Sequence, residues 1–127
     1  MSERTTREIQ VQVDCEYLEA ESSPESGYYF FTYHVIITNN GGEVVQLLNR
    51  HWIITNSDGK REEVSGAGVV GQQPVLHPGE SFNYSSYCPL GTPVGTMQGS
   101  YEMITEEGEH FDVVIAPFRL AVPGMLH

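Results

Sequence analysis

From Ile9 to Tyr17, apolar and polar residues alternate without a break. Ile9, Val11, Val13, Cys15 and Tyr17 take one set of positions, and Gln10, Gln12, Asp14 and Glu16 the other. Successive side chains of a β-strand point to opposite faces, so this segment buries one side and wets the other only as a strand. The pattern recurs. Tyr28–Thr38 places Tyr29, Phe31, Tyr33, Val35 and Ile37 on one face and Phe30, Thr32, His34, Ile36 and Thr38 on the other. Val44–Thr55 is a third strand, followed by Asn56-Ser57-Asp58-Gly59, where Asp-Gly supplies the positive φ of a tight hairpin turn. Lys60–Ser65 returns as a short charged strand. Glu80–Cys88 follows, with Phe82, Tyr84 and Ser86 on one face, and Met97–Thr105 and His110–Val122 form a last hairpin. About seven short strands, separated by loops such as Glu19–Gly27 and Pro89–Pro93, predict an all-β, two-layer β-sandwich. Its expected core is Trp52, with Leu48 and Ile54 of the same parity, joined by Val11, Tyr33, Val35, Tyr84, Tyr101 and Ile115. The N-terminal tip and the tail after Val122 are expected to be loose ends.

The chain of 127 residues is read as a single domain, 1–127, with a core of about 8–122. Seventeen acidic against six basic residues give a formal charge of −11. A field of that sign repels phosphate backbones, so no nucleic-acid partner is expected. The acids gather in Glu16–Glu25, Glu62-Glu63 and Glu102–Glu109, which read as solvated turns and strand faces. The start, MSERTTREIQ, has no secretory pattern, and no run is long and apolar enough to span a membrane. The expected location is cytoplasmic, with Cys15 and Cys88 as reduced thiols and Cys15 as a small buried hydrophobe.

Gly66-Ala67-Gly68-Val69-Val70-Gly71 is a literal G-x-G-x-x-G. A dinucleotide site needs a helix after those glycines, to set the pyrophosphate at its N-terminus. Pro74 and Pro78-Gly79 forbid that helix. The glycines then serve tight turns or close strand approach where the chain crosses between sheets, with at least one expected at positive φ. An anion nest made of loop N–H groups is the alternative. Arg50 shares parity with Trp52, which is awkward for a charged group. Either a bulge intervenes, or the guanidinium reaches an acid such as Glu102 or Asp112. His51 points the other way. Arg50 and His51 are therefore either a strand-edge hydrogen-bonding set or a pair receiving an anion or an acidic partner.

The five histidines show no metal-ligand spacing, and no Gly-x-Ser-x-Gly elbow or acidic calcium loop is present. No metal, cofactor or catalytic residue is assigned, and the protein is read as a non-enzyme.

The residues resemble the ApaG family, also called CorD in some bacteria. The segments that carry the resemblance are Tyr29-Phe30-Phe31-Thr32-Tyr33, Leu47–Thr55 (LLNRHWIIT), Val64–Pro74 (VSGAGVVGQQP) and Phe111-Asp112 with Ile115, Phe118 and Leu120. Asn49 and Asn56 depart from the family's common Ser and Asp. The resemblance implies a fibronectin type III-like, immunoglobulin-like sandwich. It also implies a genetic link to cobalt resistance and magnesium efflux. Related domains beside an F-box imply protein recognition, and a neighbouring dinucleoside tetraphosphate hydrolase gene gives the nucleotide idea its appeal.

Two functions follow. One is a protein-binding module using half-apolar strand faces (Phe30, Ile36, Ile53) or a free edge. The other is an anion or dinucleoside polyphosphate site at Gly66, Gly68 and Gly71, with Arg50, Lys60 or Arg61 supplying charge. The direction of the basic side chains discriminates between them.

Overall fold

The computed structural model describes residues 2–124. Nine strands run in order: β1 (Ser2–Thr6), β2 (Ile9–Tyr17), β3 (Tyr29–Asn39), β4 (Val45–Asn56), β5 (Arg61–Ala67), β6 (Val75–Leu76), β7 (Ser81–Leu90), β8 (Val94–Thr105) and β9 (His110–Ala121). Two single 3₁₀ turns, Glu19–Glu21 and Pro24–Ser26, fill the link between β2 and β3. All pairings are antiparallel. One sheet has the order β1-β2-β3-β7 and the other β5-β4-β8-β9, with β6 also on β4. The two pack face to face as the sandwich that the alternation predicts.

The N-terminal tip is not a loose end. Ser2–Thr6 pairs in register with Ile9–Val13, and Thr6 and Ile9 are partners across a two-residue turn. Both turn residues, Arg7 and Glu8, have positive φ, 48° and 64°. That is the hairpin geometry usually given to Asn-Gly, so neither residue announces it in sequence. Strand β1 also lies along β9, where the Val114 N–H donates to Thr6 Oγ1 at 3.3 Å. The sandwich is thus seamed on that side and open on the other, along β7 and β5. Of the tail, Pro123 and Gly124 form a turn, and the remainder lies outside the described residues.

Seven of the expected core residues are buried: Val11, Tyr33, Val35, Trp52, Tyr84, Tyr101 and Ile115. Ile54 and Leu48 are only half-buried. Trp52 is 3% exposed and makes edge-on contacts with Tyr33, Tyr101 and Phe118 at centroid distances of 5.3, 6.2 and 6.0 Å. Its indole Nε1 has no oxygen or nitrogen partner among the described residues. Aromatic rings surround it instead, and a weak N–H to π contact is the partner such a site offers. The hydroxyls of Tyr84 and Tyr101 meet in a short hydrogen bond that links β7 of one sheet to β8 of the other. Cys15 departs from expectation. It sits at the end of β2 on the apolar parity, yet its side chain is exposed, and its Sγ lies 3.1 Å from the Arg119 carbonyl. The core does reach past it, since Tyr17 on the same parity packs against the core and against Phe31. Cys88 is buried, and both thiols are free.

Strand β4 has a bulge, but it falls before Arg50 and leaves that residue on the inner side with Trp52. Pairing between β4 and β8 slips at Leu48, between Leu47 and Asn49. Before the slip, odd positions face inward (Val45, Leu47), and after it even ones do (Trp52). Strand β8 occupies one side of β4 for its whole length. Strands β5 and β6 therefore share the other side end to end, with the glycine loop between them. The loop leaves that edge and returns to it. The expectation that it marks a crossing between sheets is thus corrected: the crossing comes later, at His77–Glu80. There, Asn39 at the end of β3 ties the two sheets, bonding the Leu76 carbonyl at 3.0 Å and accepting the Gly79 N–H on its own carbonyl at 2.7 Å.

Candidate functional site

The glycine loop is a miniature hairpin. Val69 and Gln72 exchange both backbone bonds, at 2.8 and 2.9 Å, around Val70 and Gly71. Those two sit at φ 43° and 79°, an arrangement that mirrors the β1–β2 turn. A positive φ at a β-branched residue is costly, and Val70 carries it while 54% exposed. The Leu48 bulge lies directly opposite and holds the loop down. Its carbonyl accepts from the Gly68 N–H at 2.8 Å and from Gln73 Nε2 at 2.9 Å.

Two of the glycines have separate physical reasons. Gly68 has φ 63°, and a Cβ there would lie 2.2 Å from the Gln72 carbonyl oxygen. Gly66 has no positive φ, but a Cβ there would meet the Arg50 guanidinium at 2.8 Å. Arg50 is paired directly opposite Gly66 and lies down over it. Its Nη1 donates to the Ala67 and Gly68 carbonyls at 3.0 and 2.9 Å. The guanidinium therefore fastens the loop's own carbonyls. Neither expected acid, Glu102 or Asp112, is ion-paired with it among the described residues. After the bulge, Arg50 faces the inner side and those acids do not.

The sequence-derived site residues thus divide. Arg50, Gly66 and Gly68 come together. Gly71 stands at the open tip. His51 lies on the outer face, where its Nε2 bonds Glu63 Oε1 at 2.9 Å. Arg61 pairs weakly with the same Glu63, at 3.7 Å. Arg61 stands at the far end of β5, six residues along the strand from Ala67, or about 20 Å, and Lys60 lies just before it. Of the named basic groups, only Arg50 reaches the loop. A cavity of about 220 Å³ lies between it, Tyr33, Trp52, Val70, Tyr84 and Ser86. Ligand pockets usually span about 300–1,000 Å³, so this one suits a carboxylate or a single phosphate rather than a dinucleotide.

A larger open groove, about 530 Å³, crosses the outer face of the second sheet between Asn49, His51, Ser65, Ser100, Glu102 and Asp112. Its polar groups are largely engaged already. Glu102 accepts from Asn49 Nδ2 at 2.5 Å and pairs with His110 Nδ1 at 2.9 Å. The Asn49 amide, and then His110, hold the Glu102 carboxyl below the usual carboxylate range. His77 binds Glu80 in the same way at 3.0 Å. Among the described residues, no three His, Cys, Asp or Glu side chains gather to hold a metal ion. The nearest thing to a catalytic set is His34 Nδ1 with Ser85 Oγ at 2.8 Å, with Asp14 in register beside His34. Asp14 makes no bond to His34 there, so the third link of a triad is missing.

The outer face of the first sheet differs. Tyr28, Phe30 and Tyr87 form a row with centroid separations of 5.9 and 5.4 Å and tilts of 37°. Tyr87 is 63% exposed, the most of any large hydrophobic side chain described. The sequence reading named Phe30 but missed Tyr28 and Tyr87. The signal was present, because Tyr87 has the parity opposite to Phe82, Tyr84 and Ser86.

Comparison with known proteins fits this architecture. The model of the ApaG domain matches residues 19–105. The chain belongs to the ApaG family. It is 56% identical over 120 residues to Protein ApaG of Pseudomonas putida, covering 94% of this chain and 95% of that one. It is likewise 56% identical over 125 residues to Protein ApaG of Methylobacterium nodulans, covering 98% and 96%. A crystal structure of a Bordetella pertussis protein described as ApaA superposes with a TM-score of 0.91 at 47% identity, over 95% of this chain and 98% of that one. A second crystal structure, structural-genomics target SoR45, gives 0.89 at 50% identity over 94% and 91%. The ApaG fold is therefore shared along nearly the whole chain. Among the described residues, no helix is long and apolar enough to cross a membrane.

Proposed function

We propose that this ApaG protein works as a non-enzymatic protein-binding module whose docking surface is the outer face of β3 and β7. One observation carries this reading: the outward Tyr28–Phe30–Tyr87 row, with exposed tyrosines at both ends of half-buried Phe30, beside an edge strand, β7, that has a neighbour on one side only. Rings on a wet strand face add little to the stability of the chain that bears them. Aromatic side chains are, however, the residues that most often anchor partners. An open β7 edge can also take an added strand. A photo-crosslinking residue at position 87, expressed in the native host, tests this. A discrete protein adduct that disappears when the crosslinker is moved to exposed Val75 supports it. Absence of any adduct at 87 overturns it.

The anion reading keeps one supporting feature. The Val70 and Gly71 N–H groups make no hydrogen bond among the described residues, and Arg50 lies beneath them. Against it stand the loop's inward-facing carbonyls, the small cavity and the net charge of −11. A ligand that binds only the native state must raise its melting temperature. A saturable shift with a diadenosine polyphosphate, lost in Gly68→Ala at retained fold, would reverse the ranking. The metal-efflux link implied by the resemblance is then indirect, and stoichiometric cobalt binding by tag-free protein would contradict that.

A further inference from the structure

The aromatic row shares its face with carboxylates. On β2 the outward positions are Gln10, Gln12, Asp14 and Glu16, and both of the acids are exposed. Glu16 is the register partner of Thr32, and Thr32 of Tyr87. Glu16 and Tyr87 are thus two strand spacings apart, about 10 Å. At the other end of the row, the acid-bearing link between β2 and β3 is bonded onto the same strand. The Leu18 N–H donates to the Phe30 carbonyl at 2.9 Å, the Phe30 N–H to Ser22 Oγ at 2.9 Å, and Ser23 exchanges backbone bonds with Tyr28. Exposed Glu19, Glu21 and Glu25 sit on that link. None of these five acids is ion-paired among the described residues, nor are Glu62 and Asp112 of the other sheet, whereas Glu43, Glu63 and Glu109 pair with arginines and Glu80 and Glu102 bond histidines.

Ring faces carry partial negative charge, and a flanking carboxylate deepens it. A guanidinium suits such a surface better than an ammonium. It is planar, stacks on aromatic faces, and still presents N–H donors in its plane to a carboxylate. We infer that the Tyr28–Phe30–Tyr87 face, with Asp14, Glu16 and the Glu19–Glu25 link at its flank, is a receptor for an extended, arginine-bearing segment of a protein partner. This rests on the protein-binding reading above and names the chemistry of the partner. Successive residues on one side of an extended chain lie about 6.5–7 Å apart, close to the 5.4–5.9 Å ring spacing, so alternate arginines can cover neighbouring rings. A second copy of this chain is a poor occupant. It brings the same acidic field, and so does an anionic membrane or a nucleic acid.

The test uses the full chain, isotope-labelled, titrated with a capped peptide of alternating arginine and glycine. Matching peptides carry lysine, glutamine or glutamate in place of arginine. Saturable shifts confined to Tyr28, Phe30, Thr32 and Tyr87 are expected. Affinity should fall about tenfold with the glutamine peptide, by less with lysine, and completely with glutamate. Tyr87→Ser and Glu16→Gln should each weaken the arginine peptide several-fold at unchanged melting temperature. The double variant Glu62→Gln, Glu63→Gln, on the other sheet, should leave it unchanged. Equal binding of the glutamine peptide overturns the inference. So do shifts spread evenly over the acidic surface, an equal effect of the Glu62/Glu63 variant, or a dimer sealed by this face. If the position-87 crosslink still captures a partner while no cationic peptide binds, only the arginine assignment falls. If the crosslink fails as well, the module reading falls with it.

Discussion

The two outer faces of this sandwich are built from the same alternation and end in opposite conditions. On the β5-β4-β8-β9 sheet, polar side chains answer one another: Asn49 and His110 hold Glu102, and His51 holds Glu63. On the β1-β2-β3-β7 sheet, Gln10 with Glu3, His34 with Ser85 and Thr38 with Ser81 bond likewise, but the rings and the carboxylates beside them have no internal ionic partners. A groove is conspicuous because it is concave, but a surface is free to bind where its groups are not already engaged. By that measure the flatter face is the more available one.

The most severe way to break the comparison is to remove what both faces rest on. Trp52→Ala should cost about 3–5 kcal/mol by cavity formation, seen as a lower denaturation midpoint, and should loosen both faces together. If one face kept its native amide shifts, the sheets would be more independent than the shared aromatic contacts imply.

Next in size is the loop. Gly68→Ala meets both a positive φ and the Gln72 oxygen, and should cost about 2 kcal/mol or more in urea unfolding. Gly71→Ala, at φ 79° in open space, should cost only about 1 kcal/mol. Equal losses would mean that the close approach at Gly68 contributes nothing.

The engaged face should then declare itself through acid. The Glu102 carboxyl is held down in the folded protein, so its stabilisation is present above the unfolded value of about 4.3. It is lost as pH falls through the lower folded value. Glu102→Gln should flatten that part of the stability curve in urea titrations between about pH 3 and 5, an exposed and therefore small effect. An unchanged slope would show that the Asn49 and His110 contacts are not made in solution.

Smallest in stability is the free face. Tyr87→Ser should move the unfolding free energy by no more than about 0.5 kcal/mol while weakening the arginine-peptide binding described above several-fold. A large loss of stability would recast the aromatic row as structural.

Much of this was legible in the sequence. Strict alternation located β2, β3, β7 and β9 within a residue or two, because burying one face of a strand leaves a period-2 trace. Strand β1 was not legible. Its turn uses Arg7-Glu8, held in part by the Arg7–Glu109 contact at 3.1 Å, which is 102 positions away in the chain. The two-residue β6 is too short to show a period. Neither alternative held for Arg50: the bulge falls before it, so it keeps the inward parity of Trp52, and its guanidinium is satisfied by the Ala67 and Gly68 carbonyls, which no local pattern announces. The burial of Cys15 failed because parity gives the direction of a side chain but not whether it is covered: its thiol meets the Arg119 carbonyl of the opposite sheet and still stands exposed. For the site, the glycine motif drew attention to the loop, while Tyr87 was hidden among residues read for their inward parity.

The phenol pair between the sheets has an optical consequence. Burial pushes the Tyr84 and Tyr101 hydroxyls well above their ordinary range, and raises Tyr33 too. In alkali an ordinary tyrosine hydroxyl ionises to phenolate, whose near-ultraviolet absorption is stronger and at longer wavelength, while the buried pair keeps its protons. Above about pH 10 the unfolded chain sheds these protons and the folded one keeps them, so rising pH drains stability from the fold. The late burst of phenolate absorbance, arriving only when Tyr84 and Tyr101 part, then serves as a native chromophore for the moment the two layers come apart.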